Sequence, residues 1–382
     1  MTVSTTQGRE VNGPATAAEI HQQSQLWKTV ASEAELRRRS TDDFLLPLLC
    51  DQRARVILSG AGTSAFAGQV LAPALSGRLH RRVDAVATTD IVSSPRQILG
   101  EDVPTLLVSL ARSGDSPEST ATAAIADEML SSVRHLVITC NGHGQLAEAH
   151  RDRADSLVLV MPAAANDRGF AMTSSFTCML LAAQLALDPV SSSGSYVDGL
   201  GAAADQLLAE RTDQLRALVA RRYRRVVYLG SGALTGLARE AALKLLELTA
   251  GSIVSSWDSP LGFRHGPKAI LQQGTLCVVF VSTDPYTRRY DQDIADELRS
   301  TLGEENVVEV SAHAHDGRPT WCIGELGHVP DPLVALPYAV LAQQLALLAS
   351  LELGLNPDNP FPSGELSRVV RGVDIYPLPR QT

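Results

Sequence analysis

The chain repeats itself at a fixed spacing. Val56, Gly60 and Gly62 recur as Val226, Gly230 and Gly232, 170 residues later (226 − 56), and Thr105-Leu106 recurs as Thr275-Leu276 at the same offset. Val137-Ile138 matches Val307-Val308 at that offset too, and Ala183-Gln-Leu-Ala-Leu187 resembles Gln343-Gln-Leu-Ala-Leu347. One offset held over three separated apolar runs predicts two copies of one folding unit. Short apolar runs alternate with helical patterns, so the unit is α/β: a doubly wound parallel sheet with helices on both faces. Ligands of such sheets sit beyond the carboxyl ends of the strands. The expected boundaries are 1–51 for an N-terminal tail and helices, 52–190 for the first domain, 191–222 for a linker and helix, and 223–382 for the second domain with a Pro- and Gly-rich tail. Ser191-Ser-Ser-Gly-Ser195 is the expected linker.

The 382 residues fit two domains, and 45% hydrophobic with 20% charged residues gives ample material for two cores. A formal net charge of −9 argues against a nucleic-acid partner. The polar N-terminus lacks a signal sequence, and the most apolar run, Leu333 to Leu351, reads as a buried helix carrying Gln343 and Gln344 rather than a membrane span. Five scattered cysteines without a C-x-x-C pair predict reduced thiols in a cytoplasmic protein. His313 and His315 stand apart from other ligating residues, so no metal site is expected.

Three hydroxyl-rich turns open helices. In Ser59-Gly-Ala-Gly-Thr-Ser64 the glycines allow close backbone approach, and the following helix directs unpaired N–H groups at an anion, although an ordinary strand–helix turn has the same look. Arg112-Ser-Gly-Asp-Ser-Pro-Glu-Ser119 supplies an arginine and three hydroxyls. Ser116 can cap the helix with Pro117 in its first turn, and Ser113 and Ser119 exceed what one cap needs, which favours phosphate binding. It lacks the Lys-Ser/Thr ending of a nucleotide P-loop. Thr173, Ser174 and Ser175 form the third cluster, as ligand contacts or as caps.

The second copy carries acid–base candidates. Glu240, Lys244 and Glu247 fall at i, i+4 and i+7 on one helix face. A solvated charge stripe has that spacing, but the helix is otherwise apolar and follows a Gly-x-Gly turn at the ligand edge, which makes a carboxylate there a candidate base. His265, in Phe263-Arg-His-Gly-Pro267, sits on a loop, where imidazole suits proton transfer near neutral pH.

On these residues, together with Asp284-Pro-Tyr-Thr-Arg288, the chain resembles the double sugar-isomerase (SIS) domain proteins. Within them it is most similar to the galactosamine-6-phosphate deaminase / tagatose-6-phosphate ketose–aldose isomerase family. The isomerase half of glucosamine-6-phosphate synthase shows the same pattern. That resemblance implies a sugar phosphate held by Ser64, Ser113 and Ser116, Glu247 as the proton-shuttling base with Lys244 beside it, and His265 as the ring-opening group; Gly62, Thr63, Arg112, Thr173 and Ser174 complete the expected substrate-binding set. In the synthase that histidine is lent by the neighbouring subunit, so a homodimer or higher homo-oligomer is expected. Arg112 stands where the synthase has Gln and Ala111 where it has Ser. No lysine follows Lys268 to match the synthase's tail lysine, only Arg368, Arg371 and Arg380. Without a glutaminase domain as ammonia source, release of ammonium is the expected direction: galactosamine 6-phosphate to tagatose 6-phosphate, with no cofactor. The alternatives are a plain aldose–ketose isomerase, a fructosamine-phosphate deglycase, or a non-catalytic sugar-phosphate sensor. No membrane partner is expected.

Overall fold

The strands form where β-branched and aliphatic runs meet glycine turns, and they build two five-stranded parallel sheets. In the computed structural model, which describes residues 3–4, 10–11, 14–188, 194–313, 320–370 and 372–378, the first sheet has β1 (Arg55–Gly60), β2 (Val83–Ala87), β3 (Thr105–Ala111), β4 (Val133–Thr139) and β5 (Ser156–Val160), in the order β2-β1-β3-β4-β5. The second has β6 (Arg225–Gly230), β7 (Val254–Asp258), β8 (Thr275–Phe280), β9 (Val307–Ser311) and β10 (Thr320–Cys322), in the matching order β7-β6-β8-β9-β10. His315, Arg371, Arg380 and residues 191–193 of the expected linker lie outside the described residues.

The repeat is confirmed, with one correction. Arg55 pairs with Thr105 and Arg225 with Thr275, so 170 holds over the first two strands compared. In the third, Val108 pairs with Leu136 while Val278 pairs with Val308, an offset of 172 (308 − 136). Longer helical material before β9 absorbs the two residues. Because the slip is even, every side chain keeps its face.

The helices that matter for the site are α1 (Thr63–Leu79), α2 (Pro117–Met129), α3 (Ser174–Leu187), α4 (Gly194–Val219), α5 (Ala233–Leu248), α6 (Pro285–Leu302) and α7 (Asp331–Glu352). Helix α7 is long and apolar enough to cross a membrane, but its apolar window is wholly buried. Gly62 and Gly232 cap α1 and α5 in the same left-handed conformation (φ 54° and 56°). A Cβ on Gly60 would lie 2.8 Å from the Leu110 carbonyl oxygen, and one on Gly230 2.5 Å from that of Leu234. Both copies therefore need glycine at the strand end.

The chain divides into two units at other points than the repeat suggests. The first unit comprises residues 29–166, 178–192 and 364–382 and holds the first sheet; the second comprises 1–28, 167–177 and 193–363 and holds the second. The C-terminal tail belongs to the first unit because Leu378 packs on the Ile57, Ile91 and Leu107 cluster and the Arg112 Nη2 donates to the Arg368 carbonyl at 2.9 Å. The N-terminal helices belong partly to the second, where Gln23 Nε2 donates to Gln343 Oε1 (2.7 Å) and Trp27 Nε1 to Thr177 Oγ1 (3.0 Å).

Beside β4 in the first unit, His135 and His150 lie with ring centroids 4.6 Å apart. His135 is hydrogen-bonded to Asp127 (2.8 Å) and His150 to Ser156 (2.9 Å). Burial, then the neighbouring His135 ring and Arg153, push His150 down to about 4. A histidine held neutral in the fold is protonated first in the unfolded chain. Its contribution is complete above the ordinary value of 6.5 and is lost as pH falls toward 4. Urea unfolding should lose up to about 3 kcal/mol over that window. His150→Asn should flatten the slope; an unchanged slope would assign it to other groups.

Candidate functional site

In the first unit, the loops after the adjacent parallel strands β1 and β3 open at the same sheet edge. Thr63 and Ser64 are buried in the first turn of α1, and Ser64 makes no side-chain hydrogen bond among the described residues. In the second loop Ser116 is the N-cap of α2: its Oγ accepts from the Ser119 N–H (3.4 Å) and lies 2.7 Å from the Ser119 hydroxyl, with Pro117 following. Ser113 Oγ accepts from the Asp115 N–H (3.3 Å), and Gly114 turns the chain at φ 69°. Two residues that the sequence did not single out brace this loop. Asn141 Nδ2 donates to the Ser113 carbonyl (3.0 Å), and Asp115 Oδ1 accepts from the Gln145 N–H (3.0 Å). Their signal is weak, since each needs a partner some 30 residues away. Arg112 is almost buried, with one guanidinium nitrogen spent on the tail carbonyl of Arg368, so it ties down the tail.

The third hydroxyl cluster has a different task. In the second unit the Asp167 carboxylate accepts from the backbone N–H groups of Thr173 (2.8 Å), Ser174 (3.0 Å) and Ser175 (2.9 Å), and from the Thr173 hydroxyl (3.0 Å). The Ser174 hydroxyl donates to the Glu19 carbonyl (2.7 Å). Thr173 and Ser174 are fully buried and internally bonded. The place expected to take a ligand's anion is filled by Asp167, whose carboxylate caps the first turn of α3 while Thr173 and Ser174 bond inward.

Helix α5 brings Glu240, Lys244 and Glu247 together as the spacing predicts, but the stripe is not solvated. Lys244 is 1% exposed; its Nζ lies 2.5 Å from Glu247 Oε2 and 3.6 Å from Glu240 Oε1. Glu240 is also buried, whereas the Glu247 side chain is 23% exposed. Its Oε1 makes no hydrogen bond among the described residues. Glu247 does not lie at the glycine-turn edge where the sequence places it. The sixteen residues of α5 span about 24 Å and run antiparallel to β6, so Glu247, in the last turn, lies at the opposite edge of the sheet from Gly230 and Gly232.

His265 is exposed on a braced loop. The Ser259 side chain caps the short helix Pro260–Phe263, accepting from the Gly262 N–H (3.1 Å), and Phe263 is fully buried. Arg264 Nε pairs with Glu297 at 2.8 Å, and Lys268 bonds the same carboxylate. Phe263 packs with Val227, Leu229, Cys277 and Val279. Leu245 of α5 instead shares a cavity wall with Val226 and Leu276, the alternate strand positions. Glu247 and His265 therefore belong to elements that pack on opposite faces of the second sheet.

The equivalent edge of the second sheet is occupied by its own carboxylates. Asp291 accepts from the Ser231 hydroxyl (2.5 Å) and the Ser282 N–H (2.9 Å). Asp331 accepts from the Ser282 hydroxyl (2.6 Å) and from the Thr283 N–H (2.7 Å) and hydroxyl (2.9 Å). Burial pushes Asp291 up to about 7. Among the described residues no cluster of His, Cys, Asp and Glu could hold a metal.

Removing Lys244 should expose what its charge balances. Lys244→Met leaves the Glu240 carboxylate buried beside an apolar chain, and should cost about 3–5 kcal/mol in guanidinium unfolding. Adding Glu240→Gln should restore most of the loss; no restoration would show that the ammonium does not offset that charge.

Comparison with known proteins adds relatives along nearly the whole chain. The SIS domain family matches residues 48–188. A D-galactosamine-6-phosphate deaminase, AgaS, of Shewanella sp. (strain ANA-3) is 41% identical over 366 residues, covering 95% of this chain and 92% of its own. A Streptomyces coelicolor protein that carries the same name provisionally is 55% identical over 370 residues, 95% of each chain. Among solved structures, the tagatose-6-phosphate ketose/aldose isomerase of Escherichia coli superposes with a TM-score of 0.88 at 38% identity, over 96% of this chain and 97% of that one.

Proposed function

The chain belongs to the sugar-isomerase (SIS) domain family, and from that premise we propose that it converts galactosamine 6-phosphate and water into tagatose 6-phosphate and ammonium. The observation that carries the chemistry is the half-buried Glu247 carboxylate, fixed through one oxygen by a buried ammonium and open at the other. It takes the proton from C2 of the open-chain amino sugar, giving an enolamine, and returns it to C1. The resulting C2 imine adds water and expels ammonia, leaving the ketose. Lys244 holds Glu247 in place and stabilises negative charge that develops nearby. Ser64, Ser113 and Ser116, with the backbone of Gly62 and Thr63, take the phosphate at the N-termini of α1 and α2. Remote phosphate binding is thereby turned into orientation at C2. Within the first unit Arg112 holds the tail, and within the second Thr173 and Ser174 are bonded at the start of α3.

Ring opening falls to His265 of a second copy of the chain. Two features support this. The element bearing His265 packs on the opposite face of the sheet from α5. The edge strand β7 and its surroundings expose Leu246, Val254, Trp257 and Leu261, the kind of apolar edge that a homodimer covers. None of the five cysteines is in a disulfide, and we place the reaction in the cytoplasm. The likeness to the Escherichia coli ketose/aldose isomerase marks the second reading, the same proton transfer without imine hydrolysis.

Purified protein given galactosamine 6-phosphate should release ammonium and ketose phosphate in equal amounts; ketose formation from an aldose phosphate without ammonium would select the isomerase. Glu247→Gln should lower kcat at least 100-fold with little change in KM. Equal mixing of inactive Glu247→Gln and His265→Ala chains, with subunit exchange, should recover about a quarter of the wild-type rate, because half the dimers then hold one intact site. No recovery would show that His265 acts within its own chain or not at all.

A further inference from the structure

We propose that the second unit binds a small carboxylate with a compact apolar body, in a cavity that no part of the reaction above uses. The cavity, of about 170 Å³, lies under the last turn of α5. Its walls are Val226 and Leu276 of the sheet, Leu218 of α4, Leu245 of α5, and Leu345 and Ala349 of α7. Every one of these side chains is buried in apolar contact. A void of roughly 150 Å³ with such walls stays dry and takes up benzene-sized guests, because water finds too few polar partners inside. The same lack of partners excludes a polyhydroxy sugar.

The mouth has the opposite character. Arg222, Arg224 and Glu352 line it. Arg222 adopts a left-handed backbone conformation (φ 54°), and its guanidinium nitrogens Nε and Nη2 both lie 3.3 Å from Glu352 Oε1. Arg224 is exposed, and its side chain has no hydrogen bond or ion pair among the described residues. Two guanidinium groups against one carboxylate leave a net positive charge at the rim. The forked donors of Arg224 suit a carboxylate whose apolar part fills the space between α5 and α7. A guest there touches Leu245 and Ser252, which flank Glu247 along the chain. Any effect on turnover therefore rests on the role given to Glu247, whereas binding itself does not.

Calorimetric titration of the full chain with benzoate, and with benzyl alcohol as its uncharged counterpart, tests the proposal. Benzoate should bind, benzyl alcohol at least five-fold more weakly, and Arg224→Gln should remove most of that difference. Leu345→Trp should weaken benzoate binding ten-fold or more by filling the cavity; Ala349→Leu is the gentler filling variant if the tryptophan disturbs folding. Absence of benzoate binding to the wild type, or binding unaltered by a folded filling variant, would overturn the site. Equal affinity for the alcohol would overturn its carboxylate preference. Benzoate that binds without changing the rate of ammonium release would sever the link to Glu247 and leave the binding site standing.

Discussion

A single buried ammonium organises the charged groups at the end of α5 in the second unit. Lys244 lies between two carboxylates on its own helix, one sealed in and one reaching toward solvent. Taking a charged amine out of water is tolerable only where opposite charge compensates it, so the three residues stand or fall together. The sealed carboxylate balances the ammonium, and the ammonium fixes the exposed carboxylate. Without that arrangement the end of α5 would be an ordinary amphipathic turn.

Where these groups sit imposes the next constraint. A parallel sheet directs alternate residues to opposite faces, and here Val226 and Val227 lead to different surroundings: the α5 cavity for one, the Phe263 cluster for the other. The loop bearing His265 and the helix bearing Glu247 thus pack on opposite faces of the sheet. The exposed apolar residues along β7 give a physical reason for the association proposed above.

Much of this was legible in the residues, because pattern and spacing are local. The strand runs, the glycine turns and the helical stripe of Glu240, Lys244 and Glu247 all follow from neighbours within one or two turns of chain. The slip from 170 to 172 was hidden because Val307-Val308 looks as much like Val137-Ile138 as like its true counterpart, His135-Leu136. Helix direction was the other blind spot. A Gly-x-Gly turn and a carboxylate fifteen residues later read as neighbours, yet the helix between them carries the carboxylate to the far edge of the sheet. Thr173 and Ser174 looked like ligand contacts for want of a visible partner; Asp167, a few residues upstream, satisfies their backbone. The tail's membership of the first unit rests on Leu378 and Arg368, hundreds of residues from what they touch, and no local pattern records that.

The carboxylates of Asp291 and Asp331 give the duplication an asymmetry of occupancy. The two halves share strand order and turn glycines, but one half has supplied its own counter-anions where the other leaves its turns open. The second half has its own charge elsewhere, at the end of α5, where Lys244 sits between Glu240 and Glu247. Equal backbones thus carry unequal patterns of charge.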